Sequence, residues 1–229
     1  MTDKFKKAPK FTTPPGSFIW PRLFEADTKF KAEGEYSVKL RLSADAASPL
    51  IKKLQPLHDE AAKEGKQGYA AIPVANRKKL DAKGGFTLNP FFSPVYDDDE
   101  NETGEVEFKF TMKATGTNKK TGKDWTRKPS VFDAKGLPIK KDPGVGSGTV
   151  GKVSFEVFPY FIPGTGAAGL SLKLEAAQII DLVAFGQRSA SAYGFGEEEG
   201  YSASDNEDET EESNTEEGGA SGDDDEIPF

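Results

Sequence analysis

Cysteine is absent from all 229 residues, which removes disulfides and thiolate metal sites and agrees with a reducing compartment. Histidine occurs once, as His58, so the usual pairs of nucleophile and base have little to build on. No stretch approaches the ~20 apolar residues that cross a bilayer, and no membrane partner is expected. The basic opening MTDKFKKAPKF lacks the apolar core of a secretory signal. Apolar residues make up only 35% of the chain, beside 24 Gly and 15 Pro. That scarcity predicts a folded part joined to a part that does not pack.

A further absence is local. Residues 197–229 hold 15 acids and no base, whereas residues 1–196 hold all 30 Lys and Arg against 23 acids, a balance of +7. The overall charge of −8 therefore conceals a basic body, 1–196, and an acidic tail, 197–229. Such asymmetry points to nucleic acid or to the chain's own opposite half. With few apolar groups and strong self-repulsion, the tail is expected to be disordered.

Several stretches imitate catalytic or cofactor motifs without meeting their requirements. GSGTVGKV, Gly146 to Val153, approaches a phosphate-binding P-loop. It ends in Val153 where a magnesium-binding hydroxyl is needed, and the residues after it alternate like a strand instead of opening a helix. GTGAAG, Gly164 to Gly169, matches a dinucleotide fingerprint but leads into the alternating LSLKLEA, so it reads as a glycine-rich hairpin loop. DDDENETGE has Glu102 where a calcium loop needs glycine, and Phe108 stands where that loop needs its last glutamate. No enzyme, metal or cofactor is expected.

The body reads as β-rich. YSVKLRL (36–42), VEFKFTMKA (106–114) and LSLKLEA (170–176) alternate apolar with mostly Lys, Arg, Ser and Thr, the pattern of strands with one buried face. One helix is expected from an N-cap at Ser48 and a first residue at Pro49 to a stop at Gly65, with Pro56 kinking or splitting it. KKTGKDW and YDDDENETGEVEF read as turns. The fold class is mainly β: a small Greek-key barrel of the oligonucleotide-binding (OB) type with one inserted helix, a sandwich being the other reading.

In VSFEVFPYF, Val153, Phe155, Val157 and Pro159 share one parity. The other parity runs Lys152, Ser154, Glu156 and then switches to Phe158 and Tyr160. Aromatics on the solvent side of a basic barrel suit stacking on unpaired bases. Lys39, Arg41, Lys109, Lys113, Lys123, Arg127 and Lys173 are candidates to follow phosphates, as are Lys119, Lys120 and Lys128. Trp125, between Lys123 and Arg127, and Trp20, beside Arg22, are further stacking candidates. The competing reading of Phe158 and Tyr160 is that they cover a second small core under the helix.

GEYSVKLRLSAD before a helix, NPFFSPVYDDDENETGEVEFKF, NKKTGK, FDAKG, VFPYF and LSLKLEAAQIIDL occur here in order, followed by an acidic tail ending in Phe229. In this the chain resembles the single-stranded DNA-binding proteins of short-tailed bacteriophages. The resemblance implies an OB-fold core, sequence-independent binding of single strands in replication, recombination and repair, and the cytoplasm of an infected bacterium. It carries Tyr160 into the family's base-stacking position. Phe161 and Ile162 depart from the family's usual residues.

The resemblance also implies that the tail contacts replication proteins such as DNA polymerase and primase-helicase, and it allows a homodimer. The tip DDDEIPF is similar to that of bacterial single-strand-binding proteins. Asp223, Asp224, Asp225 and Glu226 add charge, while Ile227, Pro228 and Phe229 add an apolar anchor suited to a basic-rimmed pocket on a partner. The competing class is a protein-interaction or chaperone-like module whose acidic tail mimics nucleic acid. A nuclease is the third.

Overall fold

Alternation becomes strand wherever the sequence shows it. In the computed structural model, which describes residues 8–29 and 31–184, YSVKLRL lies in β3 (Glu35–Ser43) and VEFKFTMKA extends into β6 (Glu102–Lys113). LSLKLEA lies in β11 (Ala167–Asp181), and VSFEVFPYF in β10 (Val150–Ile162). With β2 (Gly16–Asp27) these strands close a ring in the order β2, β3, β6, β11, β10 and back to β2. All neighbours are antiparallel except β6 and β11, which run parallel with Thr111 beside Lys173. That is an OB-like Greek-key barrel.

Shorter strands decorate it: β1 (Lys10–Thr12) on β10, β4 (Thr87–Leu88) and β9 (Ser130–Phe132) on β11, and β5 (Ser93–Tyr96) on β6. A separate hairpin joins β7 (Thr115–Thr117) to β8 (Asp124–Thr126) through the turn expected in KKTGKDW. Inside the barrel Phe18, Phe108, Phe110 and Phe155 are fully buried, each contributing ~1.5–3 kcal/mol by leaving water. The glycine of the failed P-loop, Gly151, lies within β10, where a side chain would collide with Phe18.

The helix differs from its expected limits. α1 spans Ala44–Ala70, capped by Ser43, whose hydroxyl accepts from the Ala46 N–H at 3.3 Å. It runs through Pro49 and Pro56. Burial of Leu50, Leu54, His58 and Ala61 along one face offsets the lost backbone bonds. Gly65 is no stop: a Cβ there would meet Ala168 Cβ at 2.5 Å, so the residue lets the helix approach β11. A second helix, α2 (Val74–Asp81), follows and has no buried residue.

The chain divides into two units, Met1–Gln187 and Arg188–Phe229, and the second lies wholly outside the described residues. The boundary at 196, the acidic tail and its tip Asp223 to Phe229 lie there too.

Candidate functional site

The parity switch in β10 survives folding. Val153, Phe155 and Val157 are buried, while Phe158 is 41% exposed and Tyr160 is half-buried on the outer face. Tyr160 lines a hollow of about 440 Å³ with Phe92, Lys109, Lys113 and Lys173. Phe158 lines a second, of about 290 Å³, with Trp125, Arg127, Lys113 and Lys173. Thr111, Lys113 and Lys173 belong to both. The two hollows therefore form one trough across β6, β11 and β10, bordered by Trp125 of β8. Four aromatic rings and four cations named here converge on it.

Tyr160 is held in place by a chain of hydrogen bonds that starts in the interior. His58 Nε2 donates to the carbonyl of Asn89 at 2.9 Å, and Asn89 Nδ2 donates to the Tyr160 hydroxyl at 2.8 Å. The His58 ring stands edge-on to Phe91 at 5.0 Å. Gly169, paired with Tyr160 across the ladder, leaves room for the hydroxyl, which a Cβ would meet at 2.9 Å. The lone histidine is thus a satisfied core residue, and the tyrosine ring is fixed before any ligand arrives. Trp125 is similarly seated: it lies over Gly116, and the Arg127 guanidinium sits 4.8 Å from its ring centre, a cation–π contact.

The candidate cations differ in how they are held. Lys39 and Arg41, on the outer face of β3, both bind Glu107, at 2.9 and 2.7 Å. Burial raises the Glu107 pKa, but the hydrogen bonds from Lys39 and Arg41 outweigh it and hold the carboxyl below its ordinary value. Lys113 pairs with Glu33 at 2.8 Å with both side chains 53% exposed; such pairs are weak, so a phosphate can replace Glu33. The hydrogen bond between them raises the Lys113 pKa and lowers that of Glu33. Lys173 is different. Burial lowers its pKa, with Glu35 opposing, and it makes no ion pair among the described residues.

Because its folded pKa is depressed, Glu107 stabilises the protein above the ordinary glutamate value of 4.5 and loses that contribution as pH falls through the lower folded value. Glu107→Gln is expected to flatten the acid limb of the unfolding midpoint against pH. An unchanged acid limb would show that the pair contributes nothing to the fold.

Trp20 and Lys123 stand apart from the trough. Trp20 is 72% exposed and lines a different hollow with Arg22, Glu25, Asp142 and Ser147. It occupies a bulge with φ +50°, and its N–H donates to Ser147 Oγ at 3.0 Å. Lys123 sits in the β7–β8 turn, donating its N–H to Thr121 Oγ1 at 3.4 Å, and Lys119 and Lys120 occupy the same turn. Lys128 covers the Phe24 ring at 5.5 Å. Phe92 and Lys31 also line the trough, and Asn89 supports it, although none of the three was expected from the sequence. Phe91 and Phe92 both reach the core and the hollow, Phe91 buried and Phe92 partly buried with its ring 5.8 Å from that of Phe108, so no alternation in NPFFSP singles out Phe92. Among the described residues no helix is long and apolar enough to cross a membrane, and no three His, Asp or Glu converge to hold a metal.

Residues 16–182 match the family model described as single-stranded DNA-binding protein, bacteriophage T7. The single-stranded DNA-binding protein of enterobacteria phage T3 is 30% identical over 158 residues, 67% of this chain and 64% of that protein. Its counterpart from Escherichia phage T7 is 29% identical over 157 residues, 68% of this chain and 64% of that protein. The match thus spans a little under two thirds of these relatives' length. The crystal structure of gp2.5, the single-stranded DNA-binding protein encoded by bacteriophage T7, is similar with a TM-score of 0.59 and 24% identity. That likeness covers 86% of this chain and 100% of gp2.5, and it concerns the fold.

Proposed function

Since the chain belongs to the family of single-stranded DNA-binding proteins of bacteriophage T7, a non-enzymatic family, we propose that it binds single-stranded DNA without sequence preference in phage replication, recombination and repair. The observation that carries this reading is the trough. Exposed or half-buried rings of Phe158, Tyr160 and Trp125 flank Lys109, Lys113, Arg127 and Lys173. Bases stack on the rings regardless of identity, and phosphates follow the cations. Lys39 and Arg41 stay on Glu107 and steer at a distance, whereas Trp20 and Lys123 do not take part.

The 15 acids of residues 197–229 compete with DNA by virtue of their high effective concentration. Ile227, Pro228 and Phe229 select replication partners such as DNA polymerase and primase-helicase in the infected cell. Gel shifts of the full chain and of a chain lacking 197–229, on single- and double-stranded DNA with and without magnesium, test the proposal. Expected are preference for single strands, no cleavage, and tighter binding without the tail at low salt. Affinity for neither DNA would favour the protein-interaction module, and magnesium-dependent cleavage a nuclease. Replacing Phe229 alone leaves DNA affinity unchanged and weakens capture of the phage polymerase.

A further inference from the structure

Ile162 and helix α2 also lie outside the two hollows of the trough. An isolated helix of 8 residues with none buried is not stable in water. This one is tied to the end of α1, where Arg77 Nη1 donates to the Ala70 carbonyl at 2.8 Å and the Tyr69 hydroxyl donates to Asp81. Those bonds occupy Arg77 and Asp81. Lys78, Lys79 and Lys83 are left without an ion pair among the described residues. Like charges so close repel one another, and an anion arriving between them would relieve that repulsion.

Lys79 and Lys83 line a hollow of about 580 Å³ whose other walls include Ile72, Leu80, Pro163 and Gly164. Pro163 and Gly164 immediately follow β10, so the strand that carries Phe158 and Tyr160 runs on to this hollow, although the hollow shares no lining residue with the trough and its wall includes Gly68. Phe158, Tyr160 and Ile162 alternate along the outer face of β10, and Ile162 is 47% exposed. Phe161 points the other way, its ring against Gly68 of α1. From Tyr160 to Pro163 is three residues of strand, about 10 Å. An apolar floor beside unpaired lysines suits a base and its phosphate better than it suits a purely ionic ligand.

We propose that a single strand leaving Tyr160 crosses Ile162 and reaches Lys79 and Lys83, making α2 and the turn after it an outer DNA contact available only to longer strands. This rests on the trough binding DNA. The experiment compares the full-length protein with K79Q/K83Q, measuring salt-dependent affinity for oligothymidylates of ~4 and ~16 nucleotides, the range of OB-fold site sizes.

For the longer strand the variant is expected to lower the slope of log affinity against log salt by ~1.4, two phosphates at ~0.7 each. The shorter strand is expected to bind as before. Ile162→Ser is expected to weaken only the longer strand, with its slope unchanged. Equal loss at both lengths, or none at the longer one, would overturn the outer contact, as would loss of binding to an oligoglutamate peptide with DNA binding intact. Failure of the unaltered protein to bind either strand would instead refute the reading of the trough. Unfolding midpoints of the variants confirm that these exposed substitutions leave the fold in place.

Discussion

Tyr160→Ala is expected to weaken binding of an oligothymidylate by ~1–3 kcal/mol, roughly 5- to 150-fold, while the protein stays folded. The ring contributes because it is already fixed: Asn89 Nδ2 holds the hydroxyl at 2.8 Å, and His58 holds the Asn89 carbonyl at 2.9 Å. A base stacking there orders little that was mobile, so little entropy opposes the contact. Tyr160→Phe separates the two effects, since it keeps the stacking face and removes the hydroxyl that Asn89 grips. Its affinity is expected between those of the unaltered protein and Tyr160→Ala. If Tyr160→Ala is folded and binds with unchanged affinity, the tyrosine is not in the site.

Lys173→Met is expected to weaken DNA binding by ~1.5–3 kcal/mol, the range for a hydrogen bond to a charged group, and to reduce the salt slope by ~0.7. It is not expected to destabilise the free protein. Burial disfavours the charged form of Lys173 and lowers its pKa. A lysine with a depressed folded pKa detracts from stability while it is charged, and that penalty fades as pH rises through the folded value toward the unfolded one. Methionine keeps the aliphatic stem and removes the charge. Unfolding midpoints at neutral pH should therefore be equal or higher in the variant. A lower midpoint together with unchanged DNA affinity would make Lys173 a structural residue.

The strands were legible because period two is written directly in residues such as Val106, Phe108 and Phe110 against Glu107 and Lys109. The barrel followed from their number and the turns between them. Helix limits were less legible. Ser43 and Ser48 both have the side chain of a cap, and Gly65 reads as a stop unless one knows that Ala168, more than 100 residues on, presses against it. Helix α2 has no apolar stripe to announce it, because neighbours at the end of α1 hold it instead.

In the candidate site, the outward placement of Phe158 and Tyr160 was readable from a parity switch within one strand. The sorting of the cations was not. Glu107 is 66 residues from Arg41 in sequence, yet cross-strand pairing sets them opposite each other. Trp20 lines its hollow together with Arg22, as their closeness in sequence suggested, but Asp142 and Ser147 from far along the chain line it too, and nothing in the sequence pointed to them.

Photocrosslinking of the full-length protein to an oligothymidylate, followed by peptide mapping, tests the trough most directly, because adducts form where bases lie against side chains. The trough predicts adducts at Tyr160, Phe158 and Trp125, lost on competition with unlabelled single strands, and none at Trp20. Adducts confined to Trp20 or Tyr96, with the β10 peptide unmodified, would contradict it.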